Sequence, residues 1–469
     1  MQVTKTLIAA AGNAGGASGA LYEITDSTKS PYGFNCRQAR IDSSDNILFT
    51  IDSRTTGYTP EYLMGLGKID QDGNAYFYKE FNSTTFSNGE IPKEGCMDLD
   101  SSGNMHVIYQ AIGVNGIWWN KFSGSNGNCL DSTSRYAGYT NMAWIGVIKM
   151  DDGNMALFAK QGGTPNSGIV KYTESSDPYN GQTSGTAYYQ SSLNALYPSQ
   201  VKAVSTWANW HFTTPYTTLR AIVAVWSGSG SGPTREQTIN LTNNHSITYI
   251  GPTQSASCPH NTNLTYTIGV VDHSSLGLGG QSDGFLMRSD YAYSTSDMFK
   301  VFNKYNSTGE WQYQNSFQRI IADHVTGSEY VYVSGYTYDP VITKNKTFII
   351  CFDSSTGDIV NSVEIKSSSF TVFALNDLSI DSEGNVFASL TGRPDAVATI
   401  IKLPSGLEIT DTTIGAFTIE QSDEIQFAFS DSVTSFGSIN PPTSGWGYSS
   451  SGGTPINTSK TLSVTATTI

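Results

Sequence analysis

Short stretches in which apolar and polar residues alternate recur along the chain, and turns rich in Asp, Gly and Asn join them in pairs. An alternation with a period of two buries one face of a β-strand. In the turns, Asp accepts hydrogen bonds from nearby backbone amides, and Gly or Asn adopts the positive φ that closes a hairpin. The pattern therefore predicts β-hairpins. No stretch of a dozen residues shows helical periodicity, so we predict an all-β protein.

Two kinds of hairpin tend to alternate along the chain. In the first kind, an apolar residue and an Asp or similar polar residue precede the turn, and an apolar strand follows it. Copies of this first kind begin at Ile41, Leu99, Ile321 and Ile380. In the second kind, a Lys or its equivalent stands before the turn. Copies of this second kind begin at Lys68, Lys149, Lys304, Cys351 and Lys402.

Two such hairpins make a four-stranded antiparallel sheet, which buries its faces when similar sheets pack around an axis. The sequence therefore predicts a single β-propeller of four-stranded antiparallel blades, with seven blades favoured and six or eight left open. Regular blades are predicted near residues 39–82, 96–160 and 320–365, and another begins near residue 376. The less regular blades are assigned to residues 144–172, 221–241 and 265–304.

The ends of the chain are predicted to be extensions of the propeller. We assign residues 36–415 to the propeller and residues 1–35 to an N-terminal extension. Residues 20–24 of that extension are expected to close the ring, because an open ring would expose an unpaired strand edge.

The Ser-, Thr- and Gly-rich residues 416–469 form a C-terminal extension. We expect contact with another chain or with the outside of the propeller to order it, since such a segment does not offset its own ordering entropy. Its predicted role is docking in an assembly, so its deletion would leave a folded propeller that no longer assembles.

Composition narrows the class of protein. The chain has 469 residues, of which 12% are aromatic and only 14% charged, which excludes disorder driven by charge. A net charge of -14 disfavours binding to nucleic acid or to an anionic membrane. The 5 Cys are far apart with no C-x-x-C pair, which favours buried free thiols over a disulfide framework or a zinc site. We expect no membrane insertion, because no run approaches the length of a membrane-spanning helix.

The segment from Asp381 to Gly392, followed by Ala398 to Gly406, resembles the bacterial SBBP-type β-propeller repeat. That repeat has the pattern D-x-x-G-N-h-Y-h-x-G followed by h-h-K-h-x-x-x-G. Leu390 departs from it by standing where the first part closes with Gly, whereas Gly335 keeps this Gly in the next best copy. The resemblance covers about half of the chain and implies a propeller.

The closing segment, from Lys402 to Gly406 and through Gly415 to Thr418 into the Ser/Thr-rich tail, resembles the ends of virion structural proteins of marine tailed phages. This second resemblance implies a phage particle component of the tail or its fibres. Its expected partners are other virion proteins and copies of the same chain. Its expected location is the tail region of the virion, with an extracellular location as the alternative.

Candidate chemistry is sparse in the sequence. The turns at Asp70 and Asp100 place oxygens at alternate positions, as calcium loops do, but no closing carboxylate follows, and we predict ordinary turn aspartates and no metal site. Asp272–His273 and Asp323–His324 are adjacent acid and imidazole pairs, and no nucleophile motif accompanies them. We therefore predict no catalytic residues and no cofactor.

Aromatic residues in the irregular segments are the candidate binding residues. Trp207, Trp210 and Tyr188 would stack on sugar rings of a host-surface glycan, and core or subunit packing is the alternative. The function predicted from the sequence is a non-enzymatic structural protein of a tailed-phage virion, with the propeller as a rigid spacer or host-binding head. The alternatives are a secreted bacterial lectin or adhesin and, third, a glycan-cleaving enzyme.

Overall fold

The computed structural model describes the strands given below and several of the turns that join them. Side chains are described for 19–26, 34–52, 64–80, 97–107, 120–130, 264–273, 282–289, 298–303, 315–337, 346–367, 375–390, 397–413 and 417–432, and for single positions between 241 and 261.

The described strands form seven antiparallel sheets, numbered here in chain order. The chain starts with β1 (Gln2–Ile8) and β2 (Gly19–Thr25). Sheet 1 contains β3 (Lys29–Ile41), β4 (Ile47–Thr55), β5 (Tyr62–Ile69) and β6 (Ala75–Asn82). Sheet 2 contains β7 (Met97–Leu99), β8 (Met105–Gln110), β9 (Ile117–Phe122) and β10 (Arg135–Tyr136). Sheet 3 contains β11 (Met142–Lys149), β12 (Met155–Gln161), β13 (Asn166–Tyr172) and β14 (Gln182–Gly185).

The next sheets repeat this order. Sheet 4 contains β15 (Tyr188–Tyr197), β16 (Gln200–Asn209), β17 (Thr218–Val225) and β18 (Arg235–Leu241). Sheet 5 contains β19 (Ile247–Ser257), β20 (Leu264–His273), β21 (Gln281–Asp290) and β22 (Ser296–Lys304). Sheet 6 contains β23 (Asn315–Ala322), β24 (Tyr330–Asp339), β25 (Lys344–Asp353) and β26 (Ile359–Lys366). Sheet 7 contains β27 (Leu375–Ile380), β28 (Val386–Leu390) and β29 (Val397–Leu403), after which Ser405–Leu407 forms a short 3₁₀ turn.

The remaining strands lie in the C-terminal segment. They are β30 (Thr412–Ile414), β31 (Phe417–Gln421), β32 (Ile425–Ser430), β33 (Val433–Ile439), β34 (Ser444–Gly445) and β35 (Asn457–Ser459).

The hairpin turns form for the reasons that the sequence suggests. Asp381 Oδ1 accepts backbone hydrogen bonds from Glu383 N at 3.0 Å and Asn385 N at 2.8 Å. Gly384 between them has a φ of 84°, in the left-handed region that favours glycine. The same Asp-to-amide bonds form at Asp42 and Asp100, so this turn chemistry starts the second strand of sheets 1, 2 and 7.

The seven sheets form a closed ring. The first strand of each sheet contacts the first strand of the next sheet, and β27 of sheet 7 contacts β3 of sheet 1. The first strands therefore line the axis, and the second, third and fourth strands follow outwards in each sheet. This arrangement is a β-propeller, and the only helix among the described residues is the 3₁₀ turn.

Strands from both ends of the chain form sheet 7. β2 pairs antiparallel with β29, and β1 adds outside β2. Leu21, Tyr22 and Ile24 of β2 are fully buried. β2 therefore occupies the place of the fourth strand and joins the N-terminal segment to the end of the ring.

The C-terminal strands β31 to β35 run around the outside of the propeller. They pair antiparallel, in order, with the fourth strands β26, β22, β18, β14 and β6. The segment thus passes sheets 6, 5, 4, 3 and 1, in the direction opposite to the order of the sheets in the chain. Each of these five sheets has its outer edge covered by the chain's own C-terminal segment.

The hydrophobic core lies between neighbouring sheets. One cluster joins sheets 6 and 7 and includes Phe417 and Ile419 of β31. Further clusters join sheets 5 and 6, sheets 7 and 1, and sheets 1 and 2. The packing of each sheet on its neighbours therefore supplies the burial that a single sheet lacks.

The predicted blade at residues 96–160 is wrong, because this range spans all four strands of sheet 2 and continues into the first two strands of sheet 3. Lys149 ends β11, so the hairpin that follows it joins the first and second strands of sheet 3. Lys304 ends β22, the last of the four chain-order strands of sheet 5. The same turn residues serve a hairpin at either position of a sheet, and their spacing alone does not identify the position.

Candidate functional site

Polar side chains occur on the innermost strands, close to the axis. Gln38 and Arg40 lie four and two residues before the turn residue Asp42, and Asp377 and Ser379 stand in the same relation to Asp381. Because alternate residues of a strand face the same side, these polar positions share one side of their strands. They are candidates for a site at the centre of the ring.

Arg40 joins three sheets near the axis. Its Nε lies 3.4 Å from Asp98 Oδ1 of sheet 2, and its guanidinium forms an ion pair with Asp377 of sheet 7. Arg40 also donates a hydrogen bond to the Ala39 carbonyl at 3.0 Å. Its side chain is only 19% exposed. The guanidinium therefore serves two carboxylates that come from different sheets.

Further hydrogen bonds extend this cluster. Gln38 Nε2 donates to Asp377 Oδ2 at 3.2 Å, and the Gln38 side-chain oxygen accepts the Met97 amide. Asn376 Nδ2 donates to the Cys36 carbonyl at 2.8 Å, and Arg319 Nε donates to the Asn376 carbonyl at 2.5 Å. These bonds tie sheets 2, 1, 7 and 6 together along the axis.

Burial and the neighbouring opposite charges shift the pKa values of Asp377 and Arg40 in opposite directions. Burial raises the pKa of Asp377, and the charges of Arg40 and Arg319 only partly oppose it. Burial would lower the pKa of Arg40, but the carboxylates of Asp377 and Asp98 outweigh it and raise this pKa. Arg40 is therefore a permanent cation that the surrounding carboxylates neutralise.

A cavity of about 370 Å³ opens beside this cluster. Its polar lining includes Arg40, Asp98, Gln254, His324 and Asp377, and isoleucines of β3, β23 and β27 supply apolar lining. Gln254 accepts the Ile320 amide at 2.7 Å, which links sheets 5 and 6. Most polar groups of the cavity wall are thus engaged in contacts between sheets, and the arrangement is suited to holding the ring together.

A second set of ion pairs lies at the hairpin turns. Lys68 Nζ is 2.8 Å from Asp42, Lys121 Nζ is 2.7 Å from Asp100, and Lys402 Nζ is 3.1 Å from Asp381. In sheets 1, 2 and 7, a Lys of the third strand thus reaches the Asp of the first turn. This contact explains why Lys68 and Lys402 precede the turn of the second kind of hairpin in sheets 1 and 7.

Sheet 6 replaces this ion pair with hydroxyl groups. Cys351 pairs with Tyr332 in the register that Lys402 takes with Phe387 in sheet 7. Asp323 instead accepts hydrogen bonds from Thr326 Oγ1 at 2.5 Å and Ser328 Oγ at 2.6 Å. The turn carboxylate is therefore satisfied in both kinds of sheet.

The aspartates considered for calcium are bound by N–H donors. Asp70 Oδ1 accepts the amides of Asp72 at 2.9 Å and Asn74 at 2.8 Å. Asp100 accepts the Asn104 amide at 2.8 Å in addition to the contact with Lys121. Backbone amides that donate to an Asp carboxylate in this way are the contacts that the sequence predicts for ordinary turn aspartates.

The adjacent acid and imidazole pairs separate in the structure. His273 bonds to Asp283 at 2.5 Å, whereas Asp272 accepts a hydrogen bond from Ser282 at 2.6 Å. Burial raises the pKa of Asp283, and hydrogen bonding to His273 opposes this effect. Asn303 also donates to Asp283, at 3.1 Å, and accepts a hydrogen bond from Asn315 Nδ2 at 2.7 Å, so the pair belongs to a buried network that joins sheets 5 and 6. His324 lies at the axial cavity, away from the hydrogen bonds of Asp323.

The three predicted binding residues belong to one region of the chain. Tyr188 lies on β15 and Trp207 on β16, which pair with each other in sheet 4. Their side chains and the whole of Trp210 lie outside the described residues. Their role in binding stays a prediction.

Sequence reasoning missed the axial cluster, because Arg40, Asp98 and Asp377 are far apart in the chain. A signal was present in the strands before the first-kind turns. Charged side chains occur there at positions that a fully buried strand would fill with apolar residues. The ring brings these positions together, and hairpin spacing says nothing about which sheets become neighbours.

No protein-family model matches the chain, and no curated protein matches it. The chain is similar to the solved structure of the Dos1 propeller, with 8% identity and a TM-score of 0.46, over 81% of this chain and 94% of that one. It is also similar to polysaccharide lyase Uly1, with 8% identity and a TM-score of 0.44, over 80% of this chain and 90% of that one. The propeller assignment rests on the closed ring of sheets, and these distant likenesses add nothing about function.

Proposed function

We propose that the chain is a non-enzymatic structural protein of a tailed-phage virion, associated with the tail or its fibres. In this role the propeller is a rigid spacer or a head that contacts the host surface. The resemblance of the closing segment to phage virion proteins supports the type of particle. The propeller fold supports the role of a rigid component.

The observation that supports the proposal is that polar groups and added strands hold the sheets of the propeller together. The axial ion pairs join different sheets, and the C-terminal strands cover the outer edges of five sheets. A particle component must stay folded outside a cell and must not pair edge to edge with its neighbours in an uncontrolled way. The outermost strands of sheets 6, 3 and 1 are β30, β34 and β35, which are only 3, 2 and 3 residues long, and short edge strands limit such pairing.

The proposed partners are other virion proteins and copies of the same chain, and the proposed location is the tail region. Docking would use the outward side of the C-terminal strands or the loops at the two ends of the propeller. A host-surface glycan is the proposed ligand if the propeller is the contacting head.

The test is to look for the protein in phage particles purified by density gradient. We expect mass spectrometry to find the full chain at a fixed ratio to the tail proteins, and immunogold labelling to place it on the tail. Absence from purified particles, with the protein secreted by bacteria after removal of a leader, would overturn the proposal in favour of a lectin or adhesin. Depolymerisation of a neutral polysaccharide by the purified protein would overturn the non-enzymatic part.

A further inference from the structure

A groove lies on the outside of the propeller where the C-terminal segment passes from sheet 6 to sheet 5. It has a volume of about 610 Å³ and is formed where β31 and β32 leave a gap beside β26 and β22. Phe302, Val360, Asn361, Gln426 and Phe427 are among its lining residues. The lining thus combines aromatic, aliphatic and amide groups, which is the composition of a small-ligand site.

Phe427 presents an aromatic ring to this groove. Its exposed fraction is 51%, whereas Ile425 and Phe429 on the same strand are buried. Val301 pairs with Phe429 and Phe302 pairs with Phe427, so Ala428 is an extra residue in β32. The bulge shifts the alternation of side chains between Phe427 and Phe429, and it accounts for the exposure of one ring and the burial of the other.

The Phe427 ring is held in place by its neighbours. It packs edge-on against Phe302, with ring centroids 6.2 Å apart and an interplanar angle of 76°. Lys300 Nζ lies 5.9 Å from the ring centroid. A ring fixed in this way loses little further freedom when a ligand packs on its open face.

Amide side chains of the groove are also held. Asn361 Nδ2 donates to the Gly406 carbonyl at 2.8 Å, and Gln426 Nε2 donates to the Asp423 carbonyl at 3.1 Å. Each amide therefore has a defined orientation, and the side-chain oxygens are acceptors of the kind that bind hydroxyl groups.

The charge around the groove selects against anions. Asp358 and Asp423 are among the lining residues, and the whole chain carries a net charge of -14. Lys300 is engaged with Asp358 at 2.7 Å, so this cation is already paired. A ligand for the groove would therefore be neutral and rich in hydroxyl groups, with an apolar face for Phe427.

We propose that this groove binds a neutral oligosaccharide, with one sugar ring stacked on Phe427 and its hydroxyls bonded to Asn361 and Gln426. The inference deepens the proposed function by naming the ligand class of a host-binding head, and it rests on that function only for the source of the glycan.

The experiment uses the full-length chain and isothermal titration with three neutral probes: mannohexaose, cellohexaose and chitohexaose. Hexagalacturonate is the anionic comparison. We expect at least one neutral probe to bind and the anionic probe not to bind. Phe427→Ala should weaken that binding by about 10-fold or more, the effect of losing roughly 1.4 kcal/mol of contact energy. Phe427→Trp should retain it.

Tyr76→Ala is the matched control, because Tyr76 is an aromatic residue that is 59% exposed on sheet 1, away from the groove. It should bind the probe as the unmodified chain does. Circular dichroism and thermal unfolding establish that each variant is folded.

The inference is overturned if no neutral probe binds, if Phe427→Ala binds like the unmodified chain, or if Phe427→Ala abolishes self-association of the chain and changes no glycan binding. The particle test of the proposed function is independent. If the protein is found in virions but binds no glycan, only this inference is contradicted. If it binds a glycan but is absent from virions, only the virion role is contradicted.

Discussion

Lys402 and Asp381 form an ion pair inside sheet 7, and their side chains are only 8% and 0% exposed. Lys402 also donates a hydrogen bond to Gln71 Oε1 of sheet 1 at 2.5 Å, and Gln71 Nε2 donates to Asp381 Oδ2 at 3.3 Å. One lysine thus holds a hairpin turn and the boundary between two sheets. Removing it would leave a buried carboxylate without its cation.

We therefore expect Lys402→Met to lower the free energy of unfolding by about 3 kcal/mol, as breaking one side of a buried ion pair does. Urea unfolding followed by tryptophan fluorescence measures the change. Lys366→Met is the control, because Lys366 and Glu420 are 36% and 28% exposed, and an exposed pair contributes less than about 1 kcal/mol. Adding Asp381→Asn to Lys402→Met should recover part of the loss. Equal effects of Lys402→Met and Lys366→Met would contradict the structural role of the pair.

Asp100 is a turn aspartate whose carboxylate contacts both an imidazole, that of His106, and an ammonium group, that of Lys121. Burial alone would raise its pKa, but hydrogen bonds from His106, Lys121 and Asn104 outweigh burial and hold the pKa below its usual range. A carboxyl group with a depressed pKa in the folded state stabilises the fold above its unfolded pKa of about 3.9. That contribution is lost as the pH falls through the lower folded-state value.

The stability of the protein should accordingly decrease as the pH falls from about 5, where the unfolded chain begins to take up protons that the folded turns resist. Asp100→Asn should be less stable at pH 7 and should show a shallower decrease over this acid range. Urea titrations at a series of pH values give both quantities. The exposed Asp72→Asn serves as the comparison and should keep the slope of the unmodified chain. A slope for Asp100→Asn equal to that of the unmodified chain would be evidence against this assignment.

At the scale of the element, the turns that follow the third strands of sheets 6 and 7 are bound by the preceding sheet. Tyr266 of sheet 5 donates to the Ser354 carbonyl of sheet 6 at 2.5 Å, and Arg288 donates to the same carbonyl at 2.8 Å. In the same way, the Tyr332 hydroxyl of sheet 6 accepts a hydrogen bond from the Gly406 amide at 3.0 Å. Gly406 lies in the turn that follows β29 of sheet 7. The turns are therefore connectors between sheets as well as ends of hairpins.

The sequence predicts an element well when the residues that form its contacts lie close together in the chain. The turn at Asp381 follows from five consecutive residues, and the sequence predicts it in full. The sequence identifies Gly335 only as part of a repeat pattern, and the structure supplies the physical reason, since a Cβ there would overlap the Ser316 carbonyl oxygen. For the C-terminal segment, the sequence predicts contact with the outside of the propeller only as one of two alternatives. It does not predict which edge each of β31 to β35 pairs with, because many exposed edges offer equivalent backbone partners.

The C-terminal strands contribute buried apolar side chains to the core. Phe417 and Ile419 are 1% and 0% exposed, and Ile425 and Phe429 are 4% and 6% exposed. Burying one such side chain stabilises a protein by about 1.5 to 3 kcal/mol before the entropy of ordering the chain is subtracted. The segment therefore belongs to the propeller energetically, in addition to any docking role.

Deletion of residues 417–469 should consequently lower the midpoint of thermal unfolding and make the protein self-associate through its uncovered edges. This outcome differs from a tail that only docks on a neighbour, whose removal would leave stability unchanged. Differential scanning calorimetry and size-exclusion chromatography distinguish the two. The double variant Phe417→Ala/Ile419→Ala keeps the strands and should show the loss of stability without strong self-association. A truncated chain with an unchanged midpoint would show that the pairing contributes nothing.

At the scale of the whole molecule, the junction between sheets 7 and 1 closes the ring. Ser382 of sheet 7 donates hydrogen bonds to Asp45 of sheet 1, from its amide at 2.9 Å and its hydroxyl at 2.5 Å. The Arg40–Asp377 pair spans the same junction at the axis. A shared hydrophobic cluster fills the space between them and includes Tyr22 and Ile24 of β2. The N-terminal strand is thus part of both the closure and the core.

Removing residues 1–26 should therefore open the ring at sheet 7. The loss takes away the strand beside β29 and leaves cavities where Leu21, Tyr22 and Ile24 were buried, each of which costs about 2 to 5 kcal/mol when truncated in a core. Since every sheet relies on its neighbours for burial, the damage should spread through the ring, and we expect loss of cooperative unfolding and faster amide exchange in both β29 and β3. Removing only residues 1–18 takes away β1 and keeps β2, so this shorter truncation should retain a cooperative transition. Hydrogen exchange with mass spectrometry compares the two truncations strand by strand. If β29 and β3 exchange no faster without β2 than with it, the ring is closed by the inner contacts alone, and β2 is only an added edge strand.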